Sequence, residues 1–158
     1  VKNIEGETPE DTILHKFRKP VQTVHIADND FEAVMEGMEE VVLNGTARNA
    51  RVDSVRICAK TGTVENYAIV HGKRVKQANH SVFVCFAPRE NPIIAVAVIV
   101  ENAGYGATWA GPIASLMIEK YLKGTISTKR LPVLEYVAHA NLIPSAIKQW
   151  YVQHNYKK

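Results

Sequence analysis

The 158-residue sequence holds only two cysteines, Cys58 and Cys85. Two lone cysteines are too few for a disulfide framework and lack the paired spacing of a zinc site, so each reads as a small buried apolar residue with a free thiol. The six histidines, His15, His25, His71, His80, His139 and His154, include no pair spaced to grip one ion from one helix face. No metal and no cofactor is expected. The chain also lacks an apolar run of the ~20 residues needed to cross a bilayer, and no signal peptide opens it. Charge of one sign is missing too, because 19 Lys and Arg stand against 16 Asp and Glu for a formal net +3. These charges are spread along the chain, so no basic face marks a nucleic-acid partner, and the one basic cluster, His71 to Lys76, reads as a solvated loop. An initiating methionine is absent, and a chain that opens Val1-Lys2-Asn3 is expected to be cut from something longer. There is no internal repeat and no low-complexity segment.

What is present suffices for one core and not for two ordinary domains: 158 residues, of which 46% are hydrophobic. Residues 1–27 are polar, punctuated by Pro9 and Pro20, and suggest a short strand or two with connecting loops. Phe31, Val34, Met35, Met38, Val41 and Val42 then recur at three- and four-residue steps. That spacing predicts an amphipathic helix, started by Asn29 with Glu32 or by Asp30 and ended by Asn44-Gly45. Residues 52–58 alternate roughly between apolar and polar, which predicts a strand. A polar loop is expected up to Asn79, then a strand from Ser81 to Ala87, a turn at Pro88–Pro92 and a strand from Ile93 to Val100, the last two forming an antiparallel hairpin. Eight consecutive apolar residues in 93–100 predict a strand covered on both faces, central in its sheet. Trp109, Ile113, Leu116, Met117 and Tyr121 predict a second helix, with Pro112 near its first turn and Gly124 closing it. The tail is expected to be loop-rich up to Pro144, with one short helix carrying Ile147, Trp150 and Tyr151. The expected class is α/β of the α+β kind: helix, three-stranded antiparallel sheet, helix.

One stretch carries chemistry. Cys58-Ala-Lys60-Thr61-Gly62-Thr63-Val-Glu-Asn66 sets a lysine, two hydroxyls and a glycine at or near the end of a strand. Lys-Thr-Gly alone is a common triplet and decides little; its surroundings decide more. The segments EAVMEGMEEVVLNGTA, CAKTGTVEN, HSVFVCFAP, PIIAVAVIVENAGYG and AGPIASLMIEKYL, in this order, resemble the C-terminal half of a penicillin-binding transpeptidase domain. They are most similar to the class B, elongation-type penicillin-binding protein 2 enzymes. The resemblance covers residues 1–123 and leaves 124–158 as a separate tail.

The resemblance implies a serine acyl-transfer enzyme of peptidoglycan cross-linking, with the stem peptide and β-lactams as its ligands. The parent protein would sit in the bacterial inner membrane and face the periplasm. Such sites combine Ser-x-x-Lys, Ser-x-Asn and Lys-Ser/Thr-Gly in that chain order. Only the third is here. By the resemblance, Lys60 supplies a fixed positive charge beside the nucleophile, and Thr61 and Thr63 hydrogen-bond the substrate carboxylate. Gly62 leaves room for the substrate backbone, and the Thr63 N–H is the second oxyanion donor. Ser145-Ala-Ile-Lys148 satisfies the first pattern but lies after Lys60 and outside the matching region, so Ser145 reads as part of a helix cap. No Ser-x-Asn or Tyr-x-Asn occurs anywhere. The chain by itself is therefore expected to be inactive.

Glu101, lacking a partner acid or histidine, reads as a strand-end group, while Tyr105 and Trp109 read as packing for the second helix. Asn44-Gly-Thr46 and Asn79-His-Ser81 match a glycosylation pattern that a bacterial setting makes irrelevant. A serine β-lactamase, a DD-carboxypeptidase and a non-catalytic penicillin-recognising or interaction domain stay open as alternatives. The resemblance further implies that the sheet continues beyond residues 93–100 with strands from the missing N-terminal part of the same domain. An isolated chain is then expected to self-associate through 93–100 or through the first helix.

Overall fold

The computed structural model describes residues 25–143. The chain separates into two compact units, residues 1–32 and 33–158. Of the first unit the described part is residues 25–32. In chain order the elements are α1 (Asp28–Leu43), a 3-10 turn (Arg48–Ala50), β1 (Cys58–Val64), β2 (Tyr67–Val70), β3 (Lys73–Lys76), β4 (His80–Ala87), β5 (Ile94–Val100), α2 (Ala110–Lys123), a second 3-10 turn (Thr128–Arg130) and α3 (Leu131–Ala138). The mixed class with an antiparallel three-stranded sheet is the one observed. The expectations for residues 1–24 and for a helix after Pro144 lie outside the described residues.

The sheet has the order β1-β4-β5, with every pair antiparallel. Its register divides the side chains cleanly. Ser81, Phe83, Cys85 and Ala87 of β4 share a face with Thr63, Thr61 and Ala59 of β1 and with Val100, Val98, Val96 and Ile94 of β5. This face packs against α2 and builds the core around Phe83, which is 0% exposed, with Cys85, Val96, Ala110, Ala114 and Ile118. The opposite face carries Lys60, Gly62, Val82, Val84, Ala97 and Ile99, and at its Cys58 end it meets α1, where the buried Cys58 thiol donates to the Met35 carbonyl. There Val84 is exposed and Ile99 is 67% exposed.

Several expectations change. The strand predicted at 52–58 begins at Cys58 instead, and Val52 and Val55 form only an isolated bridge around a turn in which Ser54 has φ 63°. The polar loop to Asn79 contains the β2–β3 hairpin. Its His71-Gly72 turn, with φ 50° and 73°, is the kind of two-residue connection whose backbone twist matches antiparallel strands. Among the described residues the apolar run of 93–100 is not central: β4 lies between β1 and β5, and β5 is an edge with one face against α2. The tail is also less loop-rich than expected, since it forms the second 3-10 turn and α3 before residue 143.

The face of α2 differs as well. Met117 is 52% and Tyr121 64% exposed, whereas Ala110, Gly111, Ala114, Ser115, Ile118 and Glu119 are buried. Small residues win the contact because the helix approaches the sheet closely: a Cβ on Gly111 would sit 3.5 Å from the Phe83 ring. Gly124, at φ 74°, closes α2 as expected. In α1 the predicted stripe is only half used, with Val42 buried, Met35 and Met38 half-buried and Val34 exposed.

Two polar clusters pin the elements that flank β1. Glu39 of α1 accepts both Arg56 Nε at 2.5 Å and Nη2 at 2.6 Å, and Arg56 also reaches Glu90. Behind α2, Arg130 donates to the Arg51 carbonyl and to Ser115 Oγ, each at 2.6 Å, and lies 3.4 Å from Glu119. The cysteines are both free and buried. Cys58 opposes Phe86 and Cys85 opposes Ala59, so their side chains leave opposite faces and cannot join. Burial raises both thiols, that of Cys85 to about 11.

Candidate active site

All four singled-out residues lie within β1, the edge strand that pairs only with β4 among the described residues. An unpaired strand edge offers alternating N–H and C=O groups to an extended peptide, which is the geometry of strand addition. The side chains divide around that edge. Lys60, opposite Val84, is exposed on the face of the sheet away from α2, and its Nζ donates to the Thr61 carbonyl at 2.8 Å. Thr61 and Thr63, opposite Phe83 and Ser81, point to the α2 face. A substrate chain laid along the edge would therefore meet an ammonium on one side and hydroxyls on the other. Gly62 keeps the Lys60 face open, since a Cβ there would already press on Val82 Cβ at 3.2 Å.

Residues that sequence reasoning left aside support this strand. The Thr46 hydroxyl, in the loop after α1, lies 3.2 Å from the Thr61 hydroxyl. In the sequence it stood out only within the EAVMEGMEEVVLNGTA segment and as the Asn44-Gly-Thr46 pattern, with no role assigned to it. Ser81 Oγ, opposite Thr63, donates to the Tyr105 carbonyl at 2.8 Å and accepts the Ala110 N–H at 3.2 Å. Trp109 stacks on Tyr136 with ring centroids 5.0 Å apart, so it packs α3 rather than lining the strand. Tyr105 and Glu101 are exposed. Among the described residues no group of three or more His, Cys, Asp or Glu is placed to hold a metal ion, and no helix is long and apolar enough to cross a membrane. Ser145 lies outside the described residues.

Residues 1–119 match the penicillin binding protein transpeptidase domain. The chain belongs to that family. Within it the chain falls with the class B penicillin-binding proteins. It is 34% identical over 148 residues to the peptidoglycan D,D-transpeptidase MrdA of Haemophilus influenzae, a match covering 85% of this chain and 21% of that protein. It is 32% identical over 130 residues to MrdA of Acinetobacter baumannii, covering 77% and 19%. In three dimensions it resembles the crystal structure of Pseudomonas aeruginosa PBP2 in complex with WCK 5153, with 34% identity, a TM-score of 0.54 and coverage of 71% of this chain and 25% of that one. This transpeptidase-domain segment thus spans about a fifth of the length of these curated relatives.

Proposed function

We propose that this segment forms one wall of the active site of a peptidoglycan D,D-transpeptidase that cross-links stem peptides through an acyl-serine and is acylated by β-lactams. The observation that carries the reading is the Lys60-Thr61-Gly62-Thr63 run on a strand edge that is open among the described residues, with Lys60 exposed on a sheet face that α1 reaches only at the Cys58 end. The nucleophilic serine would come from the missing N-terminal part of the domain, facing Lys60. Lys60 holds positive charge beside that serine and favours loss of its proton. Thr61 and Thr63 donate to the terminal carboxylate. With the Thr46 hydroxyl donating its hydrogen bond to the Thr61 oxygen, the Thr61 hydroxyl is free to donate onward. The Thr63 N–H stabilises the oxyanion, a contribution of ~3 kcal/mol by comparison with other acyl-transfer sites.

The parent protein is placed, in this reading, on the periplasmic side of the bacterial inner membrane. The segment alone is inactive, and its β5 edge, open among the described residues, and the exposed Ile99 are surfaces through which copies would associate in the absence of the rest of the domain. The test is labelling with a fluorescent penicillin. The isolated segment should form no covalent adduct, and in the full-length protein Lys60→Ala should slow acylation by about 100-fold or more while the melting temperature holds. Acylation of the folded variant at the parental rate would remove Lys60 from the site.

A further inference from the structure

Gly106, in the loop between β5 and α2, is buried. A Cβ built on it would lie 2.2 Å from the Val82 carbonyl oxygen, 2.5 Å from that of Gly62 and 3.1 Å from the Gly62 nitrogen. Gly62 and Val82 are register partners, so the loop rests on the backbone of both strands at the midpoint of the Lys60–Thr63 run. Three anchors hold it there. Ser81 Oγ bridges the Tyr105 carbonyl and the Ala110 N–H, Asn49 Nδ2 donates to the Ala107 carbonyl at 2.6 Å, and the Gly106 carbonyl accepts the Gly111 N–H at 2.9 Å from the first turn of α2. Ser81 stands opposite Thr63, so the same side chain that ties down the loop belongs to the residue pair carrying the Thr63 N–H.

We infer that Gly106, locked by Ser81, is a positioning residue that sets the height of the Gly62–Thr63 backbone from behind. The clash partners are main-chain atoms of two strands, not the ends of flexible side chains, so an added methyl group cannot be absorbed by a rotamer change. Either the loop lifts off or β1 shifts. A shift at Gly62 passes directly to the next peptide, whose N–H is the proposed oxyanion donor, and such donors act only when held close to the reacting position. Ser81 acts through the same contact: without its hydroxyl the Tyr105 carbonyl and Ala110 N–H lose a shared partner and the loop loosens. The inference rests on the reading of Thr63 given above.

The experiment uses the full-length protein with Gly106→Ala, Ser81→Ala, Lys60→Ala and, as a loop control, Thr108→Ala at an exposed position. Acylation by a fluorescent penicillin is followed against penicillin concentration and normalised to folded protein by circular dichroism. Gly106→Ala should lower the limiting acylation rate about tenfold or more. Its half-saturating concentration should change much less, a split that general destabilisation does not produce. Ser81→Ala should show the same split at several-fold size and carries the test should Gly106→Ala not fold. Thr108→Ala should match the parent. Parental limiting rates in folded Ser81→Ala or Gly106→Ala, or an equal loss in Thr108→Ala, overturn the inference. If Lys60→Ala acylates normally, the reading of the site fails instead, and the two failures are thereby told apart.

Discussion

Replacing Arg130 by alanine should be among the most damaging single changes in this segment, although the residue is far from the site in sequence and outside the matching region. Arg130 is 7% exposed and lies beside Glu119, which is 0% exposed. Burial depresses the guanidinium pKa, and Glu119 with Asp53 acts against that depression. An arginine stays charged regardless, so its partner across 3.4 Å faces a buried positive charge. The cost of removing it has identifiable parts. Ser115 Oγ loses the Arg130 donor, the Arg51 carbonyl loses its 2.6 Å bond, and among the described residues Glu119 keeps the Ser127 N–H at 3.4 Å and Lys123 at 3.9 Å. A buried charge stripped of its main partner typically costs 3–5 kcal/mol, of which most is the penalty for the stranded carboxylate. Because the full-length protein is several times longer than this segment, each kcal/mol shifts the melting temperature by less than the ~2–4 °C seen for 150–250-residue domains, so the fall should be roughly 5 °C. Differential scanning of the full-length protein reads the shift. The discriminating companion is Arg130→Met with Glu119→Leu, which removes the charge together with its partner and should recover most of the loss. A single-variant shift below about 2 °C, or a double variant no better than the single, would refute the stranded-charge argument.

Glu39 should link stability to acid. Its carboxyl is held below the ordinary 4.5 first by the hydrogen bonds from Arg56, against desolvation, with Arg56 and Arg89 adding charge attraction. A depressed carboxylate contributes stability that is present above its unfolded pKa and is lost as pH falls through the folded one. Glu39→Gln should therefore lower the melting temperature near neutrality, and the gap from the parent should close as pH drops below about 4; a gap independent of pH would refute it. For the isolated segment, sedimentation at tens of micromolar should show association, and Ile99→Lys on the bare face should reduce it; a monomer with slow amide exchange along 94–100 would count against the open edge.

Much of the fold could be read directly from residue order. The stripe of α1, the hairpin of β4 and β5 and the Gly124 stop depend on local periodicity and on backbone preferences that a single residue expresses by itself. Lys60-Thr61-Gly62-Thr63 was equally legible, because contiguous chemistry on a strand needs no folding to be seen. The β2–β3 hairpin was legible in principle through His71-Gly72 between two short alternating runs, and the cationic residues around that turn concealed it. Other features depended on atoms brought together from distant parts of the chain. Hydrophobicity favoured the bulky stripe of α2, but close packing on Phe83 selected the small one. Apolar continuity implied that β5 was central, whereas among the described strands hydrogen-bond pairing gives that place to β4. Register sent Cys58 and Cys85 to opposite faces, and a one-residue slip would have reversed the result. The contact of Gly106 with Gly62 and Val82 leaves no local trace either, because a glycine needed for a missing Cβ looks in sequence like a glycine needed for a turn. Periodicity and local preference thus determined the main helices, the β4–β5 hairpin and where the lysine strand lies. Which faces meet, which edges stay open and what stands behind that strand were decided by tertiary packing, since those are properties of pairs of residues far apart in the chain.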